Sequence, residues 1–189
     1  MRHLAVASAK NTSLVLLIDG LGVAIGLALR PREAAPRLST APGGLLAQWI
    51  DPADRRSAPP LRGAMLAGSQ RDLVLGRGNV TLVNFWASWC TPCKREAAEL
   101  ALFSRGAGRG HIVGVATNDT VGAERAFLRR YGQAYPALRD RDGRLAESYA
   151  IPGLPTTVVV DAQGRIAALL PGAQTEASLT AALRRGSQR

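Results

Sequence analysis

Cysteine is scarce: the 189-residue sequence holds two, Cys90 and Cys93. Two thiols cannot build a disulfide framework. Histidine is equally scarce, and His3 and His111 stand far apart in the chain. A zinc or copper centre needs further nitrogen or sulfur ligands, so no metal or other cofactor is expected. Aromatic residues make up 5% of the chain and do not interleave the basic ones, which speaks against nucleic acid as a partner. Acidic residues are few, 14 against 24 Lys and Arg, giving a net charge of +10. The arginines occur singly or in pairs, the pattern of a solvated basic surface, and attraction to an anionic membrane stays open. There is no internal repeat. No charge-free apolar run reaches the roughly 20 residues that a membrane-spanning helix needs.

What is present is globular in balance, 47% hydrophobic and 20% charged. The length suits one domain with extensions. Residues 14–29 are apolar except for Asp19, with Arg2 and Lys10 before them. This run is read as an export signal retained as an anchor. A cleaved signal, with Gly26-Leu27-Ala28 as a poor cleavage site, and a buried soluble helix are the alternatives. Pro31, Pro36, Pro42, Gly43, Gly44 and Pro52 then break any period. The division is thus residues 1–30 as signal or anchor, 31–58 as a linker, and 59–189 as the folded domain.

Within that domain, Leu61 to Leu66 and Arg71 to Leu75 predict a hairpin around Gly68-Ser69. The apolar run Val80 to Trp86 predicts a central strand covered on both faces. Helix follows from about Thr91 to Ser104, then strand over Ile112 to Ala116. A second helix is expected over Thr120 to Tyr131, with Ala123, Ala126, Phe127 and Tyr131 on its apolar side. A short helix, Arg144 to Tyr149, and a strand, Thr156 to Val160, come next. The turn Asp161-Ala162-Gln163-Gly164 leads to a partner strand, Arg165 to Leu170. Thr175 can cap a last helix bearing Leu179, Ala182 and Leu183 on one face. Alternating strands and helices predict an α/β fold with helices on both faces of a mixed sheet.

The two cysteines sit at the junction of the central strand and the first helix, in Trp86-Ala87-Ser88-Trp89-Cys90-Thr91-Pro92-Cys93. A bond between them would close too small a loop to stabilise the fold much, so a bond that opens and closes is the better account. Only a thiolate attacks a disulfide. Cys90 stands just before the helix, near unpaired N–H groups and the positive end of the dipole, so it is assigned as attacking thiol. Cys93, one turn in, is the resolving thiol. Pro92 suits a first turn, where its missing N–H costs nothing. Glu96 lies three residues beyond Cys93. On the residues alone it reads equally as a proton acceptor for Cys93 or as an ordinary first-turn glutamate.

The segment Trp86 to Lys94 resembles the thioredoxin active-site signature, and Leu154-Pro155-Thr156-Thr157 resembles that fold's cis-proline loop. More closely, the chain is similar to the TlpA/ResA/CcmG (DsbE)-type membrane-anchored thiol–disulfide oxidoreductases. The likeness covers about residues 59–186 and includes Leu82 to Ala87, Glu96, Phe127 to Leu138, Tyr149 to Pro155, Thr156 to Ile166 and the apolar N-terminus. It implies a thioredoxin-like fold with an N-terminal β-hairpin. It implies that Pro155 is cis and lies beside Cys90, and that Trp89, Thr91, Pro92, Leu154 and Pro155 face the substrate. It also favours an active-site role for Glu96. One departure is informative. Asn84 stands where thioredoxin keeps a buried aspartate, and an amide cannot be that base. Leu61 to Gly76 matches the family poorly.

The expected activity is reduction of disulfides in exported proteins outside the cytoplasm, with cytochrome c maturation, and so apocytochrome c, the favoured setting. A membrane thiol-electron transporter would be the implied partner. The rivals are general thiol–disulfide exchange in another pathway, a non-catalytic adaptor, and a metal site. A peroxidase would want a Thr-x-x-Cys, but Ala87 and Cys90 occupy the positions three before Cys90 and Cys93.

Overall fold

The computed structural model describes residues 47–188. The expected signal or anchor over 1–30, and most of the expected linker, lie outside the described residues. Among the described residues, no helix is long and apolar enough to cross a membrane.

The chain runs β1 (Gln48–Trp49), a 3-10 turn (Pro52–Asp54), β2 (Leu61–Ala64), β3 (Gln70–Leu73), β4 (Thr81–Trp86), α1 (Thr91–Arg105), β5 (Ile112–Thr117), α2 (Val121–Arg130), β6 (Ala137–Asp140), α3 (Arg144–Ser148), β7 (Thr156–Val160), β8 (Ile166–Pro171) and α4 (Glu176–Gly186). Six strands form one sheet in the order β1-β8-β7-β4-β5-β6, and β2 and β3 form the separate hairpin. β4 pairs parallel with β5 and antiparallel with β7. The sheet is mixed, with helices on both faces, as expected of a thioredoxin-like fold.

Alternation along β4 sorts the two faces. Leu82 and Trp86 pack with Leu100, Phe103, Ala97 and Phe127, the side of α1 and α2. Leu179 and Ala182 bring α4 to that side. Val83 and Phe85 turn the other way, onto Leu61, Met65 and Tyr149, where the hairpin and α3 lie. Strand β4 is buried on both faces because both carry apolar cover, which is why it reads as a continuous apolar run.

Caps fix the helix starts. Thr120 accepts the Ala123 N–H, and Thr175 forms a reciprocal capping box with Ser178. The Asp140 carboxylate, at the end of β6, accepts the N–H groups of Leu145 at 2.9 Å and Ala146 at 3.0 Å and so opens α3.

Four expectations need correction. Residues 48–58, assigned to the linker, lie against the sheet: Gln48 and Trp49 pair with Leu169 and Ala168, and Ser57 bridges Arg165. Arg55 anchors the segment through an ion pair with Asp161 at 3.2 Å, both side chains buried. The sequence of Leu45 to Ile50 suits a linker with one sticky turn, or else a short helix or a segment on the membrane surface, but its described end forms strand β1. A strand not expected, β6, pairs parallel with β5 and forms the far rim. On α2, Ala126 is exposed, while Glu124 is buried and paired with Arg139 at 2.9 Å. An ion pair has taken the place that a small apolar residue was expected to fill.

Candidate active site

Strand β4 ends at Trp86, and the chain crosses Ala87-Ser88-Trp89 before α1 begins at Thr91. Cys90 is the N-cap of that helix, in extended conformation, and its sulfur accepts the Cys93 N–H at 3.1 Å. Donation from a helix N-terminus stabilises negative charge on that sulfur when the bond is open. Cys90 and Cys93 are joined by a disulfide. Both are buried residues, packed with Trp86, Ala87, Ala97 and Phe127. Thr91 is exposed and Pro92 half-buried, the latter in the first turn.

The connecting loop is held from the β5–α2 junction. The Ser88 N–H donates to Asp119 Oδ2 at 2.6 Å, and Trp89 Nε1 donates to the Asn118 carbonyl at 3.0 Å. Asn118 adopts φ 52°, a left-handed geometry that asparagine tolerates and that turns its carbonyl toward the indole. Trp89 stays 58% exposed although its polar end is fixed, so it presents a large, oriented apolar face to solvent beside the disulfide. Neither Asn118 nor Asp119 was flagged by the sequence. Their signal, a polar pair just before a helix cap, does not reveal a partner some thirty residues back.

The second loop arrives by topology. β7 runs antiparallel to β4, so the start of β7 lies beside the end of β4: Thr156 pairs with Phe85 and Thr157 with Asn84. The Leu154–Pro155 peptide is cis, and Pro155 is buried. The Thr156 hydroxyl donates to the Gly153 carbonyl at 2.7 Å, and Gly172 N–H donates to the Pro155 carbonyl at 2.8 Å. Leu154 packs against the cluster that contains both cysteines. Cys90, Cys93 and Leu154 thus meet in one apolar cluster, with Trp89 on the exposed loop beside it.

Glu96 lies on the buried side of α1, 1% exposed. Asn84 Nδ2 donates to Glu96 Oε1 and to Thr157 Oγ1, each at 3.1 Å. Burial raises the Glu96 pKa from 4.5 to about 8, against smaller lowering effects from the Gln174 N–H and the Asn84 amide. The carboxyl is therefore neutral at pH 7 while the disulfide is closed. This separates it from an ordinary first-turn glutamate, which would be exposed and charged. His111 is not near this chemistry: its ring nitrogen meets the Val80 carbonyl at 2.8 Å. Among the described residues there is no group of three or more His, Cys, Asp or Glu that could hold a metal ion.

Known proteins are similar to this chain. A thiol:disulfide interchange protein DsbE homolog from Paracoccus denitrificans is 39% identical over 59% of this chain and 62% of its own length. The thiol:disulfide interchange protein DsbE of Allochromatium vinosum is 40% identical over 51% of this chain and 52% of its own. The chain thus spans between half and two thirds of these curated relatives. Among solved structures, a secreted thiol-disulfide isomerase from Corynebacterium glutamicum superimposes with a TM-score of 0.66 at 26% identity, covering 80% of this chain and 98% of that one. These relatives bear out the likeness to DsbE-type proteins drawn from the motifs. The sequence pattern of the AhpC/TSA family matches residues 56–169, from the bridge that ties Ser57 to the sheet through most of β8, and the chain belongs to that family.

Proposed function

We propose that the protein is a thiol–disulfide oxidoreductase that reduces disulfides of exported proteins. The observation that carries the reading is the Cys90–Cys93 bond at the start of α1, with the Cys90 sulfur on a helix N–H. In the reduced form, the Cys90 thiolate attacks one sulfur of a substrate disulfide. The substrate S–S bond breaks, one substrate thiolate leaves and takes a proton from water, and a mixed disulfide forms on Cys90. Cys93 gives its proton to the Glu96 carboxylate and attacks Cys90. The mixed disulfide breaks, the second substrate thiolate leaves, and the Cys90–Cys93 bond closes. Two electrons have passed from the dithiol to the substrate. Glu96 ends the cycle protonated, which agrees with its raised pKa in the closed form. It can return that proton to Cys93 when the bond is next reduced.

Trp89, Thr91, Pro92, Leu154 and Pro155 form the substrate-facing rim in this reading. Their support is exposure at Trp89 and Thr91 and the approach of the β7 loop to the cysteines. The place of action is outside the cytoplasm, held to the membrane by residues 1–30. The apolar run over 14–29 supports this, as do relatives whose own names call them secreted. Cytochrome c maturation, with apocytochrome c as substrate, is the setting the DsbE likeness favours. An oxidising compartment would then require a dithiol electron donor in the membrane.

The test is a Cys93→Ser variant, which should accumulate mixed disulfides through Cys90 with exported thiol proteins, combined with equilibration of the parent in a dithiothreitol or glutathione series. A potential as oxidising as about −120 mV would overturn the reductant direction. A Cys93→Ser variant that binds partners but forms no covalent adduct would mark an adaptor. Recovery of the full chain in the soluble cytoplasmic fraction alone would overturn the location.

A further inference from the structure

Glu96 shares its pocket with other buried polar atoms. Asn84 Nδ2 occupies Glu96 Oε1, but Oε2 has no hydrogen-bond partner. The same holds for Asn84 Oδ1, Trp86 Nε1, Gln133 Oε1 and the Tyr135 hydroxyl. These atoms come from elements that meet behind the disulfide. Asn84 and Trp86 are on β4, and Gln133 and Tyr135 lie on the chain between α2 and β6. Gln133 Nε2 donates to the carbonyl of Ala97, the residue after Glu96. Gly114, the register partner of Asn84 on β5, lets Trp86 and Tyr135 both approach the strand closely. A Cβ there would stand 3.0 Å from Trp86 Nε1 and 3.1 Å from Tyr135 Cε2.

An orphaned buried polar group costs about 1–3 kcal/mol, and such groups in native proteins are as a rule satisfied by each other or by internal water. The orphans here are complementary. Trp86 N–H and Tyr135 O–H are donors without an acceptor, and Glu96 Oε2, unpartnered here, becomes an acceptor once the carboxyl gives up its proton. Tyr135 also feels Glu96 directly: burial first, and the Glu96 charge second, push its phenol well above its ordinary pKa.

We propose that Tyr135 is a positioning residue for Glu96: its hydroxyl, together with the Trp86 indole N–H, donates to Glu96 Oε2 through a shared internal water and stabilises the carboxylate that receives the Cys93 proton. This rests on the reading of Glu96 as that proton acceptor. The groups facing Glu96 are few. They are Asn84 from β4, Thr157 from β7 through the Asn84 amide, Tyr135, and the Gln174 N–H before α4. On α1 itself, Lys94 and Arg95 are exposed, and Glu99 accepts the Glu176 N–H at 2.8 Å. Among the described residues, Tyr135 is therefore the titratable side chain that looks at Glu96 from outside its own helix. It also lines two solvent-facing clefts, one shared with Arg71 and Leu128, the other with Ser104 and Arg109. Neither cleft has Cys90 or Cys93 in its walls. Water can reach the Tyr135 ring while a protein substrate covers the disulfide.

Tyr135→Phe removes the donor and keeps the ring. Two readouts are needed: the Glu96 carboxyl titration in the oxidised protein, followed by carbon-13 NMR, and the pH profile of Cys93 resolution of a Cys90 mixed disulfide. The carboxyl should titrate higher by on the order of one pH unit, and resolution at neutral pH should slow about tenfold, because loss of a donor to the charged form disfavours that form. Trp86→Phe should shift the titration the same way. In a Glu96→Gln background, adding Tyr135→Phe should leave the resolution profile unchanged. Titration curves that superimpose in Tyr135→Phe and Trp86→Phe, with each variant folded, overturn the proposal. A shifted titration with an unchanged resolution rate upholds the pairing and overturns the role given to Glu96.

Discussion

The Asn84 amide donates at 3.1 Å to both Glu96 Oε1 and Thr157 Oγ1, and so ties α1, β4 and β7 together behind the disulfide. Asn84 is completely buried. Asn84→Ala leaves two buried acceptors without their donor, and a loss of about 1–3 kcal/mol is expected from urea unfolding of the oxidised protein. The same variant should move the Glu96 titration upward, since the amide favours the charged carboxylate. A variant that loses stability with no change in titration would limit Asn84 to holding the strands.

The raised pKa of Glu96 makes stability depend on pH in a stated direction. The folded oxidised protein keeps the proton up to about pH 8, whereas the unfolded chain gives it up near 4.5. Stability from this group is complete below 4.5, falls as pH rises through that window, and levels off above 8, with a slope approaching about 1.4 kcal/mol per pH unit. Asp161 acts oppositely: its pKa is lowered by its hydrogen bonds and by Arg165, so its contribution is lost as pH falls. Glu96→Gln should flatten the decline between pH 5 and 8 in urea titrations. Glu124, also raised by burial, leaves some slope in the variant.

Trp89 combines an anchored indole N–H with a mostly exposed ring. With the ring as a contact for protein substrates, Trp89→Ala should raise KM for a disulfide-bonded protein several-fold, the equivalent of about 1 kcal/mol, as for a contact residue short of a hot spot. Reaction with a small dithiol should change little. Equal losses with both reductants and proteins would assign Trp89 to the loop's shape instead.

Asp161 holds the early segment to the β7–β8 turn. It accepts from Arg55 Nη1 at 3.2 Å, from the N–H groups of Gln163 at 3.0 Å and Arg165 at 2.8 Å, and from Arg165 Nε at 3.1 Å. Asp161→Ala strands the buried Arg55 guanidinium, and breaking a buried pair from one side costs about 3–5 kcal/mol. Thermal unfolding should show the loss. Proteolysis should release residues 47–58 before the rest of the domain.

Much of the fold and half of the site are legible in the sequence. The two-residue spacing of the cysteines, the apolar run into Trp86 and the proline before Thr156 are local patterns, and each reflects a local cause. The rim strands are not legible. β1 has two residues and exists because β8 offers it partners. β6 is four residues after Pro136, mixing Ala137 and Leu138 with Arg139 and Asp140, too short to show a period. In the pocket around Glu96, Asn84 stands out as an amide where a base is expected, but Tyr135 carries no local sign of its position. A tyrosine before a proline reads as a loop residue, and only the packing of β5 at Gly114 draws its ring inward.

The rims have a consequence for access. Gln48, Trp49, Ile50, Arg56 and Ser57 pair along the outer side of β8, while Met65 and Leu66 bond to Leu138 and Ala137 on the outer side of β6. Each segment occupies backbone groups that another chain would otherwise use to extend the sheet. Among the described residues, the strands left open are the two-residue β1 and the short hairpin, a poor template for strand addition. A visiting polypeptide is thereby steered away from the sides of the molecule and toward its end, where β4 finishes and β7 begins. The sheet's outermost residues act as a fence that leaves the end bearing the Cys90–Cys93 bond as the unfenced approach.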